Sequence, residues 1–238
     1  MSLLEADGLT KHFGGLAALR DVQVRLDEGE TLGMIGPNGS GKTTFVNIVT
    51  GHLTPDGGVL RFDGHDIRGL APHRLAAIGL TRTYQAVRVF AGLSVADNLA
   101  AARLLPAGPA RAGALSADDL IEWLALGGLL TRPAGALTLF EQRRLELAMR
   151  LVQRPRLIML DEPVGGLALT EVREMIALLQ ALKAHCAIFV IEHTMRVIRE
   201  LADRVVVLMA GEKMADGPPA DILRDRRVVE QYLGTAHA

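Results

Sequence analysis

Apolar and polar positions change their period from segment to segment, and the changes mark out the elements. Short, nearly continuous apolar runs have the length of strands: "VQVRL" (22–26), "ETLGMI" (30–35), "GVLRFDG" (58–64) and "GLTRTY" (79–84). Three more follow late in the chain, "RLIML" (156–160), "AIFVI" (187–191) and "RVVVLMA" (204–210). Between them, apolar residues recur every three or four positions. These stretches predict a helix opening after Gly41, one over "EVREMIALLQALKA" (171–184) and one over "MRVIRELA" (195–202). Buried strands alternating with amphipathic helices predict an α/β core on a mainly parallel sheet.

The middle of the chain lacks this alternation. Residues 94–105, 117–127 and 139–153 carry helical periodicity and nothing there reads as a strand, so a helical subdomain is expected to interrupt the core. The expected division is 1–86 and 155–238 for the two parts of the core and 87–154 for the insert. "PAGPARAGALS" (106–116) reads as a surface connector, and Ser116 with Asp119 as the cap of the next helix. Thr138 and Glu141 repeat that spacing at the head of the third helix. Leu145, Ala148 and Leu151 then mark an apolar stripe, with Arg143, Arg144 and Glu146 between them. Phe140 is the odd residue: its ring falls in the first turn, where backbone N–H groups without helical partners could hold an anion.

Composition narrows the picture. The 238 residues are 49% apolar and 22% charged, with a net charge of -1 and no dense basic stretch, which argues against nucleic acid as the main partner. The single cysteine, Cys186, forms no internal disulfide, in keeping with a reducing cytosol. "MSLLEADGLT" is acidic and lacks the apolar core of a secretory leader. No run approaches the roughly 18 apolar residues of a membrane span, so any work at a membrane is expected from its surface.

The candidate chemistry sits where strands end. "GPNGSGKTT" follows "TLGMI" and opens a helix, so Gly36, Pro37, Asn38, Gly39, Ser40, Gly41, Lys42, Thr43 and Thr44 satisfy G-x-x-x-x-G-K-[ST] in a strand–loop–helix setting. Glycines let backbone N–H groups converge on phosphate oxygens, and a helix N-terminus favours their charge. Lys42 would reach the β- and γ-phosphates of ATP and the Thr43 hydroxyl would ligate Mg²⁺. The alternative, a plain glycine-rich turn, leaves the Lys-Thr pair unexplained.

"LIMLDEP" (157–163) puts Asp161 and Glu162 just past a buried strand, where open α/β sheets bind ligands. Successive strand residues point to opposite faces, so the two carboxylates are expected to differ in role. Asp161 would hold Mg²⁺ through water, and Glu162 would act on the attacking water as general base. Gln85 after "LTRTY" and His193 after "AIFVI" end their strands alike. Gln85 would reach the γ-phosphate through Mg²⁺ or water and His193 by a hydrogen bond; alone, each also reads as a solvated loop residue.

In this order the motifs resemble the ATP-binding-cassette ATPases, over nearly the whole chain. "GPNGSGKTT" is similar to their Walker A, "LIMLDEP" to Walker B, Gln85 to the Q-loop residue and His193 to the switch histidine. "LTKHFGGLAAL" (9–19), "RTYQAVRVFAGLSVADN" (82–98), "IEHTMRVI" (191–198) and "VVEQYLG" (228–234) resemble the ATP-binding subunits of branched-chain amino-acid importers. The resemblance implies a P-loop NTPase fold: a RecA-like core, an antiparallel β edge near the N-terminus and an inserted helical subdomain. It also implies that Phe13 stacks on adenine, although Phe13 reads equally as a core residue. Partners would be transmembrane permease subunits, with a helix received near Val87, Arg88, Val89 and Phe90, of which Val87, Val89 and Phe90 read equally as packing residues. A second cassette would pair head to tail with this one. An extracytoplasmic solute-binding protein would act only indirectly. The chain would work in the cytoplasm, peripheral on the inner face of the membrane. Branched-chain or other hydrophobic amino acids, urea and short amides are all compatible solutes. A soluble non-transport cassette ATPase is a second reading, and a P-loop nucleotide kinase a third.

The family signature reads roughly L-S-G-G-Q, and "LTLFE" (137–141) stands in its place. Thr138 keeps a hydroxyl. Phe140 replaces a glycine whose backbone approaches the γ-phosphate and is expected to obstruct it, while Glu141 adds a carboxylate near an anion. The loss of one charge-assisted hydrogen bond would cost about 1.5–3 kcal/mol. The defect falls on the partner's site, so a heterodimer with a related cassette and unequal ATP sites is expected over a homodimer. The D-loop position, "GGLAL" (165–169), offers no Asp or Asn near Leu167 or Ala168.

Overall fold

Ten strands and the eight α-helices of four or more residues, named here in chain order, account for most of residues 2–109 and 115–230, which the computed structural model describes. They are β1 (Ser2–Phe13), β2 (Leu16–Asp27), β3 (Thr31–Ile35), α1 (Lys42–Val49), β4 (Gly57–Phe62), β5 (His65–Asp66) and α2 (Pro72–Ala77). Next come β6 (Leu80–Arg82), α3 (Val95–Arg103), α4 (Ala117–Trp123), α5 (Leu139–Leu151), β7 (Leu157–Asp161) and α6 (Leu169–Leu182). The last are β8 (Ala187–Ile191), α7 (Met195–Leu201), β9 (Arg204–Met209), β10 (Glu212–Gly217) and α8 (Pro219–Ile222). Residues 110–114 of the connector and 231–234 of "VVEQYLG" lie outside the described residues. Among the described residues no helix is long and apolar enough to cross a membrane.

The chain divides into two compact units, Met1–Ala71 with Ala187–Ala238, and Pro72–Cys186. The first unit holds an antiparallel sheet ordered β2-β1-β4-β5. β1 gave no clear periodicity because Gly8 and the register shifts around it break the alternation. Its pleat nonetheless buries Leu4, Ala6 and Leu9, while Glu5 lies between Arg25 and Arg61 of the flanking strands, 3.2 and 3.8 Å away. The same unit holds β10-β9-β3-β8, with β3 parallel to both β8 and β9 and β10 antiparallel to β9. β3 and β8 are buried along their whole length, as their unbroken apolar runs require. Phe45 of α1 stacks on Phe189 of β8 with ring centroids 5.6 Å apart.

In the second unit β6 and β7 pair in parallel, Leu80 opposite Leu157 and Arg82 opposite Met159. Between them α3, α4 and α5 form the helical stretch. Ser94 caps α3 through the Asp97 N–H, and Ser116 and Asp119 close a reciprocal capping box on α4. Asn98, fully buried, accepts from the Phe90 N–H and donates to the carbonyls of Phe90, Leu93 and Ser94, which fixes the loop ahead of α3. α5 departs from the expected two-faced helix. Besides Leu145, Leu147 and Ala148, it buries Arg143 and Glu146.

Candidate functional site

The loop between β3 and α1 is shaped by glycine. A Cβ on Gly36 (φ 151°) would overlap the Leu208 carbonyl oxygen and stand 2.7 Å from Ser40 Oγ. A Cβ on Gly41 (φ 105°) would stand 2.6 Å from the Ala18 carbonyl oxygen. Gly41, the N-cap of α1, has no side chain to cap the first turn, and no acidic residue lies in that turn to offset its positive end. Lys42 Nζ arches back to donate to the carbonyls of Gly36 and Pro37 at 2.7 and 2.9 Å. Ser40 Oγ is buried and has no hydrogen-bond partner among the described residues. Asn38, Gly39 and Thr43 are exposed, and Pro37 and Thr44 half-buried. A glycine-shaped cradle, a cation folded over it and a buried hydroxyl fit a phosphate chain.

β8 lies beside β3, so His193 leaves the same sheet edge as the cradle. His193 is exposed, while Glu192 beside it is buried and accepts from the Thr194 N–H at 3.4 Å. Phe13, at the end of β1, is 48% exposed with Lys11 Nζ 5.7 Å from its ring centroid. It is therefore not a core phenylalanine, and exposure leaves its ring accessible for stacking.

In the second unit the pairing of β6 with β7 joins residues far apart in sequence. Gln85 Nε2 donates to Glu162 Oε2 at 2.8 Å, and Arg82 Nη2 donates to Asp161 Oδ2 at 2.7 Å in a buried ion pair. β7 ends at Asp161, and Glu162 takes a left-handed conformation (φ 49°), so strand alternation does not set its direction. Such a conformation in a non-glycine residue is uncommon and gathers at functional sites. Phe90 is exposed, with Val87 and Val89 half-buried and Arg88 exposed, its guanidinium 4.4 Å from the Tyr84 ring centroid.

The head of α5 carries the expected capping box: Thr138 Oγ1 accepts from the Glu141 N–H, and Glu141 Oε2 accepts from the Thr138 N–H. Phe140 differs from expectation. Its ring is 7% exposed and lies under Arg144, whose guanidinium carbon is 4.7 Å from the centroid, so it packs inward instead of standing over the helix end. Leu139, at the first helical position, is the residue exposed there. Arg132 lies 3.8 Å from Glu141.

Arg82, Asn98, Arg143 and Glu146 were not singled out from the sequence. Arg143 Nη2 donates to the carbonyls of Gly165 and Gln85 at 2.7 and 3.4 Å, and Glu146 Oε1 accepts from the Arg88 N–H at 3.3 Å. Burial pushes the Glu146 carboxyl up to about 7, against the opposing pull of Arg150, the Arg88 and Tyr84 N–H groups and Arg143. Charged residues inside an apolar stretch, such as Arg82 in "GLTRTY", were the only available signal.

Among the described residues no group of three or more His, Cys, Asp or Glu side chains could cage a metal.

The family model described as "ABC transporter" matches residues 19–165, and one described as "Branched-chain amino acid ATP-binding cassette transporter" matches residues 212–238. The high-affinity branched-chain amino acid transport ATP-binding protein BraF of Pseudomonas aeruginosa is 38% identical, over 98% of each chain. The corresponding LivG protein of Escherichia coli is 36% identical over the same share. A crystal structure of an ATP-binding cassette of an ABC transporter, in its ADP conformation, superposes with a TM-score of 0.88 at 29% identity, covering 98% of this chain and 99% of that one. Motifs, fold and relatives agree: the chain belongs to the ABC transporter family, as one of its nucleotide-binding cassettes.

Proposed function

We propose that this chain is the ATP-hydrolysing subunit of an importer for branched-chain or other hydrophobic amino acids. The observation that carries the nucleotide reading is the glycine-built loop Gly36–Gly41, with its uncapped helix start and the folded-over Lys42. The solute follows from the names of the relatives, BraF and LivG. The Lys42 ammonium and the backbone N–H groups of the Gly36–Thr44 loop, apart from Pro37, which has none, and Ser40, which donates to the Pro37 carbonyl, bind the triphosphate, and Phe13 stacks on adenine. In the first unit Thr43 would ligate magnesium, which would draw charge from the phosphates, and in the second unit Asp161 and Gln85 are the residues that would serve it. Glu162 orients the attacking water and takes its proton, and His193 donates to the γ-phosphate. ATP favours the closed pair of cassettes, and that differential affinity shifts the attached permease subunits. The chain works at the cytoplasmic face of the membrane.

A heterodimer is favoured over a homodimer because of the α5 entrance. Thr138 and Glu141 already satisfy each other's backbone N–H groups, and Glu141 adds negative charge where the partner's ATP would lie. An intact signature on the second cassette keeps one of the two sites competent.

The test is Glu162→Gln in the full-length protein. ATP binding should persist while hydrolysis slows by about 10²–10⁴. Unchanged turnover would overturn the assignment.

A further inference from the structure

We propose that Arg143 and Glu146, on the inward face of α5, are positioning residues that hold Gln85 against Glu162. This deepens the hydrolytic reading and rests on it. The two are three positions apart, so they share one face of the helix. Arg143 is 8% exposed and Glu146 1%. One guanidinium, Arg143, joins the carbonyl of Gln85, after β6, to that of Gly165, after β7. The Glu146 carboxylate accepts from the Arg88 N–H and from the backbone of Tyr84, bracketing Gln85 on both sides. Gln85 is thereby fixed within the short segment 84–88, and its amide meets Glu162 Oε2 at 2.8 Å.

Packing alone does not account for this pair. Buried charges are costly, and apolar residues of similar volume usually serve a core at least as well. What the charges supply is directional: three carbonyl or N–H groups of one loop, and one of the next, tied to a single helix. Gln85 in turn donates to the carboxylate proposed as general base and so sets its orientation. Displacement of a catalytic group by a fraction of an ångström is enough to slow a reaction. Neither residue belongs to the Gly36–Thr44 cradle, so nucleotide affinity should not depend on them.

The experiment compares ATP affinity and turnover of the full-length protein with Arg143→Lys, Glu146→Ala and Glu146→Gln, each alone and in a Gln85→Ala background. Arg143→Lys and Glu146→Ala should lower kcat about 10- to 100-fold with the ATP Kd within about twofold. Glu146→Gln, which keeps an acceptor oxygen of the same shape, should recover most of the loss. In the Gln85→Ala background the substitutions should add little, because they act through the same residue. Hydrogen exchange of the 84–88 amides should speed up in Glu146→Ala, a readout that needs no turnover. Wild-type kcat in both variants, a full additional loss on top of Gln85→Ala, or unaltered exchange over 84–88 would each overturn the proposal. A wild-type protein that turns over no ATP, with exchange still responding to Glu146→Ala, would refute the hydrolytic reading and support the clamp.

Discussion

Helix α1 begins at Lys42 behind a left-handed Gly41, and helix α5 begins at Leu139 behind Thr138. Both therefore present a first turn of backbone N–H groups that the helix itself cannot satisfy. In α1 the N-cap is a glycine with no side chain to answer them, and no carboxylate stands in the first turn. In α5 the Thr138 hydroxyl and the Glu141 carboxylate answer each other's N–H groups, and Glu141 adds its charge. A capped start is worth about 1 kcal/mol of stability over an uncapped one. The cradle forgoes that stabilisation and keeps its amides available. The glycines matter there because they bring no Cβ into space held by the Leu208 and Ala18 carbonyls and no side chain to close the cradle from within. An anion site is thus made as much by what its sequence withholds as by the lysine it supplies.

The largest effect should come from Gly36→Ala. A methyl group there would overlap the Leu208 carbonyl oxygen, so the loop must deform and its amides lose their convergence. Calorimetric titration with Mg-ATP should show affinity at least about 100-fold weaker, as expected when several charge-assisted hydrogen bonds are lost together. Near-native affinity in the folded variant would mean that the cradle does not bind as described. Next in size is Phe140→Ala. The ring is buried beneath Arg144, so its removal should cost about 2–4 kcal/mol in denaturant unfolding. Were the ring instead an obstruction at the helix end, stability would hold and hydrolysis at the partner's site would rise.

What could be read in advance follows the same division. The cradle occupies nine consecutive residues, and each of its requirements is local, so Gly36, Gly41, Lys42 and Thr43 stand out in the sequence. Gln85 and Glu162 are 77 positions apart and meet through the register of β6 on β7, which no spacing states. Helical periodicity sorted Arg143 and Glu146 onto a polar side, yet α5 is enclosed on most sides and both residues are buried. Periodicity identifies one apolar stripe and is silent about a helix surrounded by chain. Phe140 was misread for a related reason. Motif spacing gives a residue's position in the first turn, whereas its χ angles decide whether the ring turns outward or under Arg144.

The smallest effect, and the one that separates charge from capping, belongs to Glu141→Gln. A glutamine at this position still accepts from the Thr138 N–H, so the reciprocal cap should survive. What disappears is a negative charge over the positive end of α5, worth about 0.3–1 kcal/mol, and the loss should appear as a small decrease in unfolding free energy. In the proposed pair of cassettes the sign should reverse. There the same charge would oppose an incoming phosphate, so its removal should raise turnover at the partner's site by about two- to fivefold. Stability down and turnover up together would establish that the second helix start is closed partly by electrostatics. If neither moves, Arg132, 3.8 Å from Glu141, already offsets the charge, and the closure rests on the hydroxyl and carboxylate acting as caps.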